Sequence, residues 1–162
     1  MNISSSLIIS TYNWPEALDL CLRSVLNQRQ LPDEIIIADD GSGEETRALI
    51  NRYQRDSIKL IKHIWHPDDG FRKTIILNTA IQEAQGEYII QIDGDIIVHP
   101  AFVKDHLAAA KRGQFTRGSR AMIDKSTSLL IQQNKRTTFN FLSKGILHRF
   151  NAVRAPFLSR LI

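Results

Sequence analysis

The chain has 162 residues, 43% of them hydrophobic, enough for one core of ordinary size and too few to favour two domains. Its net charge of +4 is uneven: residues 1–124 hold 14 Lys and Arg against all 17 Asp and Glu, while residues 125–162 hold seven basic residues and no acidic one. That basic stretch is either a solvated tail or a surface facing phosphate, an anionic membrane or an acidic partner, and no nucleic acid is expected as a partner.

The single cysteine, Cys21, excludes an intramolecular disulfide and a multi-cysteine metal site. Set among Leu18, Leu22 and Val25, it reads as a small buried apolar residue rather than a nucleophile. The opening Met-Asn-Ile-Ser-Ser-Ser lacks the basic and apolar regions of a signal peptide, and no apolar run approaches about 18 residues, so a cytoplasmic chain is expected.

In chain order, residues 6–10 (SLIIS) predict a buried strand. Asn13, Pro15 and Glu16 then give an Asn cap, an early Pro and an acidic residue three on, so a helix is expected from about Trp14. Its apolar positions Leu18, Cys21, Leu22 and Val25 fall on one face. Residues 34–38 (EIIIA) predict a second strand, and Ser42 with Glu45 forms a capping box for a helix through about Gln54. A third strand is expected over residues 58–64. Leu77, Ala80, Ile81 and Ala84 mark a third helix ending at Gly86, followed by a fourth strand over residues 87–92 (EYIIQI). A last helix is expected from Pro100, carrying Phe102, Val103, Leu107 and Ala110 and ending at Gly113. This alternation predicts an α/β fold, a mainly parallel twisted sheet with helices on both faces.

In open parallel sheets ligands bind outside the carboxyl ends of the strands. Three such ends carry unusual polar residues here: Thr11-Tyr12-Asn13, Asp39-Asp40 and Asp93-Gly94-Asp95. Asp39 and Asp40 either complement a helix N-terminus or serve a ligand, and two adjacent carboxylates exceed what a cap needs. Asp93 and Asp95 straddle a glycine, so both can reach a divalent cation and a bound ribose while Gly94 admits close backbone approach. A simple turn is the alternative, since Asp-Gly pairs favour turns.

The runs Ser6 to Asn13, Ile36 to Ser42 and Gly86 to Asp95, with the helix bearing Leu22, Ser24, Val25, Leu26 and Gln28, resemble family 2 of the GT-A glycosyltransferases over about residues 5–121. Asp69-Gly70-Phe71-Arg72-Lys73 with Asn78 is similar to the branch holding bacterial polysaccharide and chondroitin-type polymerases and lipopolysaccharide sugar transferases. The resemblance implies a Rossmann-like GT-A fold and inverting transfer of a sugar from a nucleoside diphosphate, preferably UDP, to a glycan or lipid-linked acceptor. It implies that Thr11 and Tyr12 line the base pocket, beside the Asn13 of the same motif, and that Asp39 accepts the imide NH of the base. Asp40 supports that loop or the ribose. Arg72 and Lys73 sit near the diphosphate with Asn78 bracing their loop. Asp93 contacts ribose or metal-bound water, and Asp95 ligates Mn²⁺ or Mg²⁺. Arg120 matches a recurrent position of undefined role.

A leaving nucleoside diphosphate develops negative charge that a cation and nearby basic groups must neutralise, and Asp95, Arg72 and Lys73 are the residue types for this. Inversion also needs a general base. In relatives that carboxylate lies well downstream of the Asp-Gly-Asp triplet, and no acidic residue follows Asp124 here, so the base is expected beyond Ile162, with the chain a truncated form. Residues 1–121 are expected to form the donor-binding core and residues 122–162 a basic segment leading toward an acceptor-binding part. Within 141–162, Leu142, Ile146, Phe150, Val153, Phe157 and Leu161 recur at helical spacing among basic residues. This suits an amphipathic helix touching an anionic membrane, with Pro156 as a break, or a face packed on further chain. His63 and His66 flank a strand end and carry little signal, and His99, a few residues past the Asp-Gly-Asp triplet, has either a role near the site or a surface or packing role, the commoner case. A dehydrogenase or a dehalogenase-like phosphatase fits poorly, because no G-x-G-x-x-G follows the first strand and Ile-Ile follows Asp95.

Overall fold

A computed structural model describes residues 3–139 and 142–152. The first strand, β1 (Ser5–Thr11), is buried at all seven positions, and β2 (Glu34–Asp39) at all six, as central parallel strands covered on both faces must be. They pair in parallel from Ser6 against Glu34 to Thr11 against Asp39. Two further parallel strands, β3 (Leu60–Trp65) and β4 (Tyr88–Asp93), complete a sheet of order β3-β2-β1-β4.

The period-two alternation of the strands divides the core. Leu7 and Ile9 of β1 with Ile35 and Ile37 of β2 face α1 (Pro15–Leu26), α2 (Glu44–Asp56) and α4 (Phe102–Ala109), meeting Leu18, Leu22, Ile50 and Val103. Ile8, Ile36 and Ala38 face the opposite side, where α3 (Lys73–Gln82) brings Ile76 and Ala80. Coverage on that side does not extend over β4, whose Ile89 stays 40% exposed. Buried polar groups sit at the amino ends of the strands: the Ser6 hydroxyl donates to Glu34 Oε1 at 2.6 Å and accepts the Gly86 N–H at 2.8 Å. Lys62 Nζ pairs with Glu34 Oε2 at 2.9 Å.

Several local expectations are corrected. Asn13 does not cap α1, whose cap position is Trp14 without a side-chain bond, and Ser42 does not cap α2, which begins after Gly43. Both polar groups bond to each other's loops instead. The third helix spans Lys73–Gln82 and stops short of Gly86. Gly86 has a different task, since a Cβ there would lie 2.5 Å from the Ser6 backbone N. The last helix of the core spans Phe102–Ala109, short of both Pro100 and Gly113. The third strand begins at Leu60 rather than residue 58.

Beyond a loop, β5 (Met122–Ile123) pairs antiparallel with β6 (Ile146–Leu147), enclosing α5 (Lys125–Asn134). Asp124 caps α5, its Oδ1 accepting the Thr127 N–H at 2.8 Å. Ile146 lies in a strand and Phe150 in a 3-10 turn over Arg149–Ala152, so the helical repeat expected from Leu142 is not formed there. Its remainder, with Val153, Phe157 and Leu161, lies outside the described residues. Among the described residues no helix is long and apolar enough to cross a membrane.

α5 returns to the core through one carboxylate. Asp19 of α1, 3% exposed, accepts Lys135 Nζ at 2.9 Å, Arg23 Nε at 3.0 Å, Arg52 Nη2 at 3.2 Å and the Tyr53 hydroxyl at 2.7 Å.

Candidate functional site

At the carboxyl ends of β1, β2 and β4 lies a crevice of about 270 Å³. Thr11 and Tyr12 from β1, Asp40 from β2, Lys73 from α3 and Asp93, Gly94 and Asp95 from β4 line it. Three strand ends and one helix start therefore converge, as the parallel topology requires.

The turn after β4 lies directly on β1. Gly94 N–H donates to Ser10 O at 2.7 Å, and a Cβ at Gly94 would stand 3.0 Å from that oxygen and 3.3 Å from the Thr11 side chain. Asp93 is half-exposed. Its Oδ1 accepts the Ser10 hydroxyl at 3.0 Å and Lys73 Nζ at 2.5 Å. Lys73 above all, helped by Ser10 and the more distant charge of Arg120, holds the Asp93 carboxyl below its usual range against the opposing effect of burial. Asp95 is exposed at the crevice. Beneath the pair, burial pushes the Cys21 thiol strongly up, and the charges of Asp95 and Asp93 add to it, so Cys21 stays protonated.

The two loops opposite are tied together. Asn13 adopts φ +43° and donates its N–H to Ser42 Oγ at 2.9 Å, while its Oδ1 accepts the Gly43 N–H at 2.8 Å. The Tyr12 hydroxyl donates to Asp68 Oδ2 at 2.9 Å, and the Asp68 bond raises the Tyr12 hydroxyl above its ordinary value. Gly41, at φ +93°, leaves room that a Cβ 2.6 Å from Asp68 Cα would close.

Asp39 and Asp40 have different surroundings. Asp39 is fully buried, its Oδ1 accepting the Ser42 N–H at 2.8 Å and its Oδ2 bonded to His63 Nε2 at 2.9 Å, and it is not part of the crevice lining. Asp40 reaches the crevice, with Oδ1 2.7 Å from His66 Nε2 and Oδ2 accepting the Arg72 N–H at 3.1 Å. Of the two basic residues expected near a diphosphate, Lys73 faces the crevice, whereas the Arg72 guanidinium pairs with Asp69 Oδ2 at 2.6 Å on the surface. Asn78 is exposed on α3 outside the lining. His99 also lies outside it, its Nδ1 accepting the Ala101 N–H at 3.1 Å.

The sequence does not single out Ser10, Trp14 and Phe71 as crevice residues, although they line it, nor the bonds of His63 to Asp39 and of His66 to Asp40 behind it. The histidines were open to detection. β3 pairs with β2 in parallel, so residues just before and after Trp65 flank the Asp39 position. Phe71, 88% exposed, and Trp14, 49% exposed, add aromatic surface at the mouth. Among the described residues no group of three His, Cys, Asp or Glu side chains is placed to hold a metal ion, which leaves Asp93 and Asp95 as a pair of hard oxygen donors.

A family model, Glycosyl transferase family 2, matches residues 6–157. Chondroitin synthase of Escherichia coli is 30% identical over 88% of this chain and 20% of its own length, and hyaluronan synthase of Pasteurella multocida is 30% identical over 66% of the chain and 11% of its own. The chain thus spans a fifth or less of these relatives. Among solved structures, mannosyltransferase PcManGT from Pyrobaculum calidifontis, in complex with GDP-Man and Mn²⁺, matches with a TM-score of 0.60 at 18% identity over 82% of this chain and 39% of that one. Staphylococcus aureus TarS 1–349 in complex with UDP-GlcNAc matches with a TM-score of 0.55 at 20% identity over 74% and 39%. These likenesses show a GT-A fold, and with a family model covering almost all of its length, the chain belongs to glycosyl transferase family 2.

Proposed function

We propose that this chain binds the nucleotide-sugar donor of a glycosyltransferase that moves a sugar, with inversion, from a nucleoside diphosphate to a glycan or lipid-linked acceptor in cell-surface polysaccharide synthesis. The observation that carries the reading is the convergence of Asp93, Asp95 and Lys73 on one crevice with Tyr12 and Asp40. Such a crevice offers an aromatic face and a carboxylate to a base at one end, and carboxylates with an ammonium to a diphosphate at the other.

In this reading Tyr12 stacks on the base and Asp40, rather than the buried Asp39, accepts its imide NH, which favours uracil. Thr11 and Asn13 shape that pocket, Asn13 through its tie to Ser42 and Gly43. Lys73 faces the diphosphate. Gly94 lets the ribose approach the backbone. Arg72 serves by its backbone N–H on Asp40, not by its side chain.

The donor set fits a divalent cation, since Asp95 is exposed at the crevice and both protein bonds to Asp93 fall on Oδ1. Asp95 and Asp93 would hold Mn²⁺ or Mg²⁺, with phosphate oxygens as further hard ligands. When bound, such a cation neutralises charge growing on the leaving diphosphate. Asp124 serves another purpose, with both its oxygens engaged at the start of α5.

Calorimetric titration with UDP and with GDP, each with and without Mn²⁺, tests the reading on the chain, on Asp95→Ala and on Lys73→Ala. Metal-dependent UDP binding abolished by Asp95→Ala and weakened about tenfold or more by Lys73→Ala is expected, the loss of a charge-assisted contact. Silence toward both nucleotides would sink the donor site, and binding of GDP alone would move the base assignment from uracil to guanine.

A further inference from the structure

Two residues behind the crevice each hold one residue that lines it. Asp40 and Tyr12 are in the lining, and His66 and Asp68, which are not, bond to them. In the β2–β3 register Asp39 lies opposite Trp65, so Asp40 and His66 leave their strands side by side. Trp65 is itself anchored, its Nε1–H donating to Ser42 O at 3.0 Å with the Arg47 guanidinium over its ring. The chain that follows β3 is therefore fixed where it passes the crevice wall.

The Asp40 carboxylate is held on both oxygens. His66 Nε2 lies 2.7 Å from Oδ1, and the Arg72 N–H donates to Oδ2 at 3.1 Å. A carboxylate offers no hydrogen, so Nε2 is the donor. The His66 and Asp40 side chains are 19% and 6% exposed, which leaves water little room to replace the bond. One donor on each oxygen sets the rotation of the carboxylate plane as well as its place, and each oxygen keeps a further lone pair for a ligand.

Tyr12 is held at the far end of its ring. Its hydroxyl donates to Asp68 Oδ2 at 2.9 Å, and the Gly70 N–H donates to Asp68 Oδ1 at 3.2 Å. Gly41 brings the exit of β2 against Asp68, where a Cβ would stand 2.6 Å from Asp68 Cα. Tyr12 is 50% exposed, so packing alone does not fix its ring.

We propose that His66 and Asp68 are positioning residues for the nucleobase: His66 aims Asp40 so that it accepts an imide N–H and rejects cytosine, and Asp68 holds the Tyr12 ring as the surface on which a base stacks. The assignment rests on the donor-site reading and divides base recognition into two tasks. Uracil presents N3–H to an acceptor, whereas cytosine presents N3 as an acceptor itself. An aimed carboxylate favours the first and opposes the second. A carboxylate able to turn withdraws from the cytosine N3 and loses the discrimination. Stacking is tolerant of base identity, so Asp68 supports affinity without selectivity.

The test is calorimetric titration of the full chain with UDP, CDP and inorganic pyrophosphate, each with Mn²⁺. The chain is expected to hold UDP at least about tenfold more tightly than CDP, a difference of about 1.4 kcal/mol. His66→Ala should bring that ratio below about threefold while pyrophosphate affinity stays unchanged. His66→Phe, which keeps a ring of similar bulk without a donor, should do the same and carries the test if the smaller side chain fails to fold. His66→Gln, whose amide N–H can reach Asp40, should keep most of the ratio. Asp68→Ala should weaken UDP and CDP equally, by roughly threefold to tenfold, with pyrophosphate again unchanged. Asp68→Asn, which still accepts from Tyr12, should restore both. An unchanged UDP-to-CDP ratio in the His66 variants, or a parallel loss of pyrophosphate binding, overturns the role of His66. A changed ratio or an unchanged affinity in Asp68→Ala overturns that of Asp68. Metal-dependent UDP binding no tighter than that of CDP overturns the proposal and spares the donor reading, whereas a chain that binds none of the three overturns the donor reading and the proposal with it.

Discussion

Replacing Asp19 with Ala removes four bonds from the centre that fastens α1, α2 and α5 together. Arg23, Arg52 and Lys135 are 42%, 51% and 43% exposed, so water recovers most of what each loses and each pair contributes about 0.5 kcal/mol. The Tyr53 hydroxyl is different, a 2.7 Å bond to a carboxylate in a half-buried setting, which contributes about 1.5 kcal/mol. The variant should therefore lose about 3 kcal/mol, or roughly 6–12 °C in midpoint for a chain of this size. Lys135→Ala, which breaks one exposed pair, should lose less than about 1 kcal/mol. Denaturant unfolding of Asp19→Ala, Tyr53→Phe and the double variant measures the coupling directly. A loss for Asp19→Ala below about 1 kcal/mol, or independent effects of the two substitutions, would refute the account. Acid gives a second check. Burial opposes ionisation of Asp19, but Tyr53, Lys135 and Arg23 override it and hold the carboxyl below its ordinary 3.8. The stabilisation is therefore present above pH 3.8 and is lost as pH falls through the lowered folded value, so the gap between wild type and Asp19→Ala should close in that window.

Glu34→Gln should behave alike: burial is outweighed by Ser6, Gln85 and Lys62, the carboxyl is held below 4.5, and a deficit at neutral pH of about 1–2 kcal/mol should shrink as acid titrates the wild type through its lowered value. Gly86→Ala should cost about 3 kcal/mol, since the new Cβ meets the β1 backbone at 2.5 Å from Ser6 N and 2.6 Å from Ser5 C, and a midpoint within error of wild type would remove the close-approach explanation. Cys21, buried with its thiol pushed far up, should resist a thiol reagent in the native state and react at the global unfolding rate, and prompt labelling would contradict its burial.

The sheet was legible because its signals are local. Ile8, Ile9 and Ile35 to Ile37 form apolar runs too dense for a solvated strand, and the helical spacing of Leu18, Cys21, Leu22 and Val25 fixes the face that meets them. The chemistry-bearing strand ends followed from topology once the strands were placed. The misreadings share a cause: their partners are distant in sequence. Asn13 and Ser42 both have the composition of caps, and only the packing of two loops reveals that each serves the other. Gly86 follows a helix as a terminator would, yet it is needed for contact with a strand eighty residues earlier. Asp39 and Asp40 look equivalent as a pair, but strand alternation turns one toward His63 in the interior and leaves the other at the crevice. After Gly113 the sequence has no long apolar run, and the helical spacing that starts at Leu142 does not form a helix at Ile146 or Phe150. Short β5 and β6 find each other through α5, and Asp124 stands where its capping role is visible only in the turn it closes.

The strand order also sets when the parts can come together during synthesis. β1 and β2 pair residues 28 positions apart, so that half of the sheet needs only a short loop to close. The other flank of β1 waits for residues that lie 83 positions later, Ser10 against Asp93. A chain emerging from the ribosome therefore holds β1 with one edge unpaired until β4 appears, an exposed edge of the kind that recruits foreign strands. The same event that closes this edge delivers Asp93, Gly94 and Asp95 to their places, which makes protection from aggregation and assembly of the crevice a single, late step of folding.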